Sequence, residues 1–276
     1  MKIAVLGLGI IGSRAAANLR KNPSHRVRCW NRTPRGNEGE VSDLTEAVSE
    51  AEVITLYLKD GPAVRDVANQ LFRSISRQVT LINHSTVDLA STRWLADECA
   101  KRGWNFLDAP FTGSRDAAAE AQLVYYVAGE PELVESFKPL LLETGKAIIP
   151  CGDLGRATII KLVTNLVSAC TVQALSEALA TAMRHGIEAE TFTAAVAGNA
   201  CGSPLAALKL PTMASADFEP HFSLHNMLKD SRYVLDLAEG LDTPAIQAVS
   251  DRMAQLCDSG FADQDYSSLA APYLHS

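Results

Sequence analysis

Six residues near the start of the chain, Gly7-Leu8-Gly9-Ile10-Ile11-Gly12, constrain the fold more than any other feature. They follow the apolar run Ile3–Leu6 and open the segment Ile11–Lys21, whose apolar positions recur at helical spacing. G-x-G-x-x-G alone is common by chance, but strand, glycine turn and helix in that order is the arrangement that cradles a dinucleotide. The first glycine makes the tight turn, the second lets the backbone approach a pyrophosphate, and the third lets the helix pack close to the strand. The helix N-terminus then offers N–H donors and the positive end of its dipole. Gly7, Leu8, Gly9, Ile10, Ile11 and Gly12 are therefore candidate cofactor-binding residues.

The rest of the first half extends that unit. Apolar runs at Val27–Trp30, Val53–Leu58, Val79–Ile82 and Phe106–Ala109 alternate with helical patterns at Ala63–Ile75 and Leu89–Lys101. Strands alternating with helices predict a Rossmann-type, doubly wound and mostly parallel sheet covered on both faces. Gln122–Val127 and Ala147–Ile149, with a helix over Glu132–Leu142 between them, extend it. From Gly155 onward the pattern is helical: Arg156–Arg184, Ala189–Ala197, Phe222–Glu239 and Pro244–Leu256, with Pro204, Pro211 and Pro220 marking connections. Two domains are expected, an NADP-binding one over 1–153 and an all-helical substrate and dimerisation domain over 154–276, joined by one long helix. That helix has only Lys161 and Glu177 as charges between its ends and exceeds about 40 Å. Its apolar character predicts burial on all sides, between the two domains and against a second subunit.

Composition excludes other classes. The net charge of −7, from 25 basic and 32 acidic residues, speaks against nucleic acid as the main partner, since phosphate binding needs a concentrated basic face. The uncharged run Leu162–Ser176 is too short for a membrane span. Six scattered cysteines without a CxxC pair, and a chain that enters a strand directly after Met1, predict reduced thiols and a cytoplasmic protein. His221 and His225 stand four apart but have no third partner at ligand spacing, so no metal is expected. Trp94 and Trp104 read as packing residues.

The end of the second strand selects the cofactor. An NAD site places a carboxylate there to hold the ribose 2′-hydroxyl. This chain has Asn31-Arg32-Thr33 and no carboxylate before Glu38, and an arginine fork matches a 2′-phosphate. NADP(H) is expected over NAD(H). About twenty residues separate Arg32 from Val53, too few for a full helix and a further strand. Lys161 lies among Ile159, Ile160, Leu162 and Val163, and an ammonium in such surroundings is paired, snorkelling or functional. Asn165, one helical turn on, shares its face and could orient the amine. Beside a nicotinamide, that lysine could donate a proton to a carbonyl oxygen receiving hydride.

Together with His84-Ser85-Thr86-Val87, Asp108-Ala109-Pro110-Phe111-Thr112-Gly113-Ser114, the Gly155…Lys161…Asn165 helix start and Lys229-Asp230, these motifs resemble the β-hydroxyacid dehydrogenase family, a 6-phosphogluconate dehydrogenase-like group that includes the 3-hydroxyisobutyrate dehydrogenases. Asn31-Arg32-Thr33 and Gly113-Ser114-Arg115 are most similar to its NADPH-dependent glyoxylate/succinic semialdehyde reductase branch. The resemblance implies Lys161 as the catalytic lysine and Asn165 as the residue that positions it. It implies Thr112, where the family usually has Ser, as the hydroxyl that holds the substrate carboxylate with Gly113 and Ser114. It further implies cofactor contacts from Thr86, Lys229 and Leu58, the last after the fourth strand, and substrate-site closure by Phe222 and Asp230. Ala117 and Ala121 stand where the family carries glycines, so either the loop avoids positive φ or the helix after it is better formed.

The expectation is an NADPH-dependent reductase of small carboxylate-bearing aldehydes, acting reversibly, as a homodimer or higher homo-oligomer formed through the helical domain. Imine reduction on the same scaffold and non-catalytic dinucleotide binding are the alternatives, and the presence of Lys161 argues against both.

Overall fold

The computed structural model describes residues 1–274. The expected helical domain runs to 276, and its last two positions lie outside the described residues. Two compact units are present, Met1–Lys161 and Leu162 onward.

The first unit holds an eight-stranded sheet. Its elements are β1 (Lys2–Leu6), α1 (Gly12–Arg20), β2 (Arg26–Trp30), α2 (Leu44–Val48), β3 (Val53–Leu56), α3 (Gly61–Ser74), β4 (Thr80–Asn83), α4 (Leu89–Lys101) and β5 (Asn105–Asp108). They are followed by β6 (Phe111–Thr112), α5 (Arg115–Ala119), β7 (Leu123–Ala128), α6 (Pro131–Leu142) and β8 (Gly145–Gly152). Strands β2, β1, β3, β4 and β5 are parallel neighbours in that order. β7 then runs antiparallel to β5 and β6 and parallel to β8. The two-residue strand β6 has no counterpart among the apolar runs of the sequence.

Both faces of the sheet are covered, which explains the near-continuous apolar strands. Successive side chains point to opposite sides. Ala4 and Leu6 enter one core with Val48, Leu71 and Leu95 from α2, α3 and α4. Ile3 and Val5 enter the other with Ala16 and Leu19 of α1 and Leu140 of α6. Asp43, Asp60 and Asp88 cap α2, α3 and α4, each accepting a backbone N–H of the first turn. Between β2 and β3 the chain forms only the five-residue α2 and no strand.

The long α7 (Arg156–Arg184) passes through the boundary between the units. The second unit continues with α8 (Ala189–Ala197), α9 (Pro204–Ala214), α10 (Leu224–Leu237), α11 (Pro244–Leu256) and, after a 3-10 turn at Tyr266–Ala270, α12 (Ala271–Leu274). Its core joins Leu162, Ala169, Val172 and Leu179 to Leu210, Met213, Leu228 and Met253.

One sequence expectation fails here. Pro204 and Pro211 do not mark a connection: Pro204 opens α9 behind the Ser203 cap, and Pro211 lies inside the helix. Proline fits the first turn, where its missing N–H costs nothing, and α9 tolerates a second one inside. On α7, part of the apolar surface is exposed in the single chain. Ile160, Val163 and Val167 are exposed, whereas the polar Asn165, Gln173 and Ser176 are buried with Leu162, Ala169 and Val172. By length and composition α7 as a whole could cross a membrane, although its uncharged run alone is too short; a core helix meets the same criterion.

Candidate active site

The glycine loop is built by backbone crowding. Gly7 has φ +99°, and a Cβ there would lie 2.2 Å from the Tyr57 carbonyl oxygen. A Cβ on Gly12 would lie 2.0 Å from the Gly7 oxygen, so neither position admits a side chain. At Gly9 a Cβ would meet nothing within 4 Å. That open side is where a phosphate can approach the backbone. α1 starts after Ile11 with no capping side chain and no acid in its first turn, leaving its dipole for an anion. The residues present therefore fit a dinucleotide.

Asn31 ties this loop to the turn after β2: its Oδ1 accepts the Leu8 N–H at 3.0 Å and its Nδ2 donates to the Thr33 carbonyl at 2.6 Å. Arg32 and Thr33 beyond it are exposed. Glu40 turns inward, accepting the backbone N–H groups of Arg35 at 3.0 Å and Asn37 at 2.8 Å. Burial would raise its pKa, but these bonds prevail and hold it below the usual carboxylate value. The Glu38 carbonyl accepts from the Arg20 guanidinium, and its side chain is exposed.

The next two loops carry Leu58 and Thr86. The Leu58 N–H donates to Ser85 Oγ at 2.8 Å, and the Ser85 N–H donates to Asn83 Oδ1 at 3.1 Å, which fixes the turn leading to Thr86. Leu58 follows β3, the third strand and not the fourth, because residues 31–52 form no strand. Beneath these loops His84 stacks on Tyr57 at 4.6 Å, and its Nδ1 donates to the Ala109 carbonyl at 2.7 Å. Burial lowers its pKa to about 4 against that hydrogen bond, so the ring is neutral near pH 7. Tyr57, pushed well up by burial, reaches Tyr125 Oη at 3.4 Å, and Tyr125 pairs with Thr144 at 2.8 Å.

Thr112 ends β6 exposed. Gly113 has φ +140°, and a Cβ there would lie 2.8 Å from Leu123 Cδ2. Ser114 caps α5, its Oγ accepting the Ala117 N–H at 3.2 Å. The loop does not avoid positive φ: Ala121 adopts +55°, while Ala117 lies inside α5. Lys161, half-buried on α7, is the last residue of this unit.

In the helical unit Asn165 and Asp230 are buried together. Asn165 Nδ2 donates to Asp230 Oδ2 at 2.7 Å, and Asp230 Oδ1 forms an ion pair with Lys229 Nζ at 2.9 Å. A carboxylate only accepts, so it fixes which end of the amide is nitrogen. Lys229 Nζ also stands 5.0 Å from the Tyr233 ring centroid. Phe222 is half-buried and packs edge-on against Tyr266 at 6.1 Å. Its N–H and that of His221 both donate to Asp265 Oδ2 at 3.0 Å. Asp265 Oδ1 pairs with the buried Lys209 Nζ at 2.6 Å. Burial acts to raise the Asp265 pKa, but Lys209 outweighs it and holds the carboxyl below its ordinary range.

Sequence reasoning placed His84, Ser85 and Asp108 in motifs without assigning them a role, and did not find the Lys209–Asp265 pair. The available signal was polar residues closing apolar strand runs, as Asp108 does after Phe106 and Leu107.

A glycine loop opening a doubly wound sheet, followed along the chain by an all-helical unit that buries an asparagine–aspartate pair, defines the class of nicotinamide-dinucleotide oxidoreductases. Residues 2–152 match the model of the NAD binding domain of 6-phosphogluconate dehydrogenase, and residues 155–273 match that of the NAD-binding domain of NADP-dependent 3-hydroxyisobutyrate dehydrogenase. The chain belongs to the β-hydroxyacid dehydrogenase family and is an NAD(P)-dependent enzyme. It is 29% identical to glyoxylate/succinic semialdehyde reductase 2, chloroplastic, of Arabidopsis thaliana, over 98% of this chain and 78% of that protein. It is 28% identical to glyoxylate/succinic semialdehyde reductase 1 of the same plant, over 98% and 97%. The structure of Mycobacterium tuberculosis 3-hydroxyisobutyrate dehydrogenase with L-serine is similar at a TM-score of 0.88 and 27% identity, covering 98% of each chain.

Proposed function

We propose that the protein is an NADPH-dependent reductase of small aldehydes that carry a carboxylate, of the glyoxylate and succinic, tartronate or methylmalonate semialdehyde type, working reversibly on the corresponding hydroxyacids. The observation that carries this reading is the Asn165 amide held by buried Asp230 at 2.7 Å, one helical turn from Lys161. With its nitrogen committed to Asp230, the amide presents Oδ1 as an acceptor for an ammonium. That is the orientation a proton-donating lysine requires.

When bound, the nicotinamide supplies hydride to the carbonyl carbon. Lys161 gives its proton to the carbonyl oxygen as negative charge develops there, and Asn165 orients it. The Thr112 hydroxyl and the Gly113 N–H hold the carboxylate, with Ser114 shaping the loop. Phe222 and Asp230 close the helical side of the site. Gly7, Leu8, Gly9, Ile10, Ile11, Gly12, Leu58, Thr86 and Lys229 hold the cofactor, and Asn31, Arg32 and Thr33 receive its 2′-phosphate. Glu40 supports the preference for NADPH, because its oxygens are occupied by backbone N–H groups and it is a poor acceptor for a bare 2′-hydroxyl. We also infer a cytoplasmic homo-oligomer formed through the helical unit, with the exposed Val163 and Val167 covered by a second copy; light scattering that finds only a 29.6 kDa monomer contradicts this.

The test is a panel of carboxylate-bearing aldehydes and cyclic imines run with NADPH and NADH side by side. Turnover of the aldehydes with NADPH supports the reading. Turnover confined to imines, or cofactor binding without turnover, replaces it with one of the two alternatives above.

A further inference from the structure

Helix α7 lacks the capping residue that its position demands. Its N-cap is Gly155, held at φ +89°, a backbone conformation that strains any residue with a Cβ, and a Cβ there would crowd Leu89 Cδ1 at 2.8 Å. An N-cap side chain normally accepts the N–H of the third helical residue, here Thr158. That N–H donates instead to Asp108 Oδ2 at 2.9 Å. The Gly155 N–H donates to the same carboxylate. Asp108 thus does from another strand what a capping box does within one helix. The Thr158 hydroxyl adds a third bond to Asp108 at 2.9 Å and accepts from Thr92 Oγ1 at 2.8 Å. Asp108 is fully buried, at 0% exposure, and no cationic side chain pairs with it among the described residues. Its charge is held by hydrogen bonds and by the positive end of a 29-residue helix.

The placement matters because of what lies on either side. Three residues beyond Thr158, on α7, is Lys161. Three residues beyond Asp108, past Ala109 and Pro110, begins Phe111-Thr112-Gly113. We propose that Asp108 is a positioning residue for the reaction: it clamps the first turn of α7 to the end of β5, and so sets Lys161 against the loop that holds the substrate carboxylate. The proposal rests on the proton-donor reading of Lys161 given above. Burial raises the Asp108 pKa to about 6 against the three bonds from Thr158 and Gly155. A group retained at such a cost to its charge is explained by positioning better than by stability.

The experiment compares Asp108→Asn, Lys161→Ala and the double variant, reading kcat on the best aldehyde, NADPH affinity by fluorescence and thermal midpoint. Asp108→Asn keeps the shape but replaces one acceptor with donors. The expected result is a kcat at least 10-fold lower, NADPH affinity within 2-fold of wild type, and a midpoint no lower than wild type. Added to Lys161→Ala, the substitution should cause no further loss, because a misplaced lysine and a missing one are equivalent. A kcat for Asp108→Asn within 2-fold of wild type overturns the proposal, as does a full 10-fold additional loss in the Lys161→Ala background. Should Asp108→Asn fail to fold, Thr158→Val and Thr158→Ser take its place: Val is expected to lose at least 5-fold in kcat and Ser to restore it, and equal values overturn the proposal. Unchanged turnover in Lys161→Ala is the separate signature that the proton-donor reading itself has failed.

Discussion

Asn165 donates its amide proton to the Asp230 carboxylate at 2.7 Å, with both side chains buried in the helical unit. The bond leaves the amide one orientation, and the same carboxylate pairs with Lys229 at 2.9 Å. Asp230→Ala removes both interactions and leaves a buried N–H without its acceptor, a defect of about 1–3 kcal/mol. Its kcat should fall at least 10-fold, and Asp230→Asn should fall nearly as far, because an amide can turn its own donors toward Asn165. Steady-state kinetics on the two variants check this; wild-type kcat in either would show that the amide orientation is irrelevant.

Arg32 stands exposed one residue after Asn31, whose side chain binds both the glycine loop and Thr33. A guanidinium bonded to a phosphate contributes about 1.5–3 kcal/mol. Arg32→Ala should therefore raise the NADPH KM by 10-fold or more and leave the NADH KM within 2-fold. Parallel titrations with the two cofactors measure this, and an equal change in both would remove Arg32 from the 2′-phosphate site.

Ala121 holds φ +55°, a conformation that costs a residue with a Cβ about 1–2 kcal/mol. Ala121→Gly should raise the unfolding free energy by up to about 1 kcal/mol, the gain reduced by the greater freedom of glycine in the unfolded chain. Denaturant melts of the two proteins decide it; a destabilised variant would contradict the strain.

Opposite pH slopes are expected from His84 and Asp108. Burial lowers His84 to about 4 from an ordinary 6.5, so between those values the unfolded chain binds the extra proton. Stability from this residue is present above pH 6.5 and is lost as pH falls toward 4, by about 3 kcal/mol at most. Burial raises Asp108 from 3.8 to about 6, so there the folded chain binds the extra proton, and stability falls as pH rises through that window. The two partly cancel in the wild type. The unfolding free energy of wild type minus that of His84→Phe should increase from pH 4 to 6.5, and a flat difference would mean that His84 titrates normally.

The alternation of the first half and the length of α7 were legible because both are written in local periodicity. The ends of α4, α7, α8 and α11 coincide with the sequence reading for the same reason. α9 was not, because Pro204 and Pro211 look alike in sequence although one opens the helix and the other lies within it. Within the site, residues that act from exposed loops or glycine turns carried a motif. The roles of Asp108, Ser85 and Asp265 were not legible, although the first two stand within motifs, because their work is to accept N–H groups distant in the chain: Asp108 meets Thr158, and Asp265 meets Phe222. Hydropathy alone did not show which side of α7 is buried: Ile160, Val163 and Val167 are exposed, whereas the polar Asn165, Gln173 and Ser176 are buried.

Proton donation by Lys161 to the carbonyl oxygen is tested by Lys161→Ala. NADPH oxidation with the preferred aldehyde should fall by at least 100-fold in kcat, within the span of general acid catalysis, while NADPH binding stays within 2-fold of wild type. A variant that binds NADPH and reduces the aldehyde at the wild-type rate would mean that the proton comes from another group.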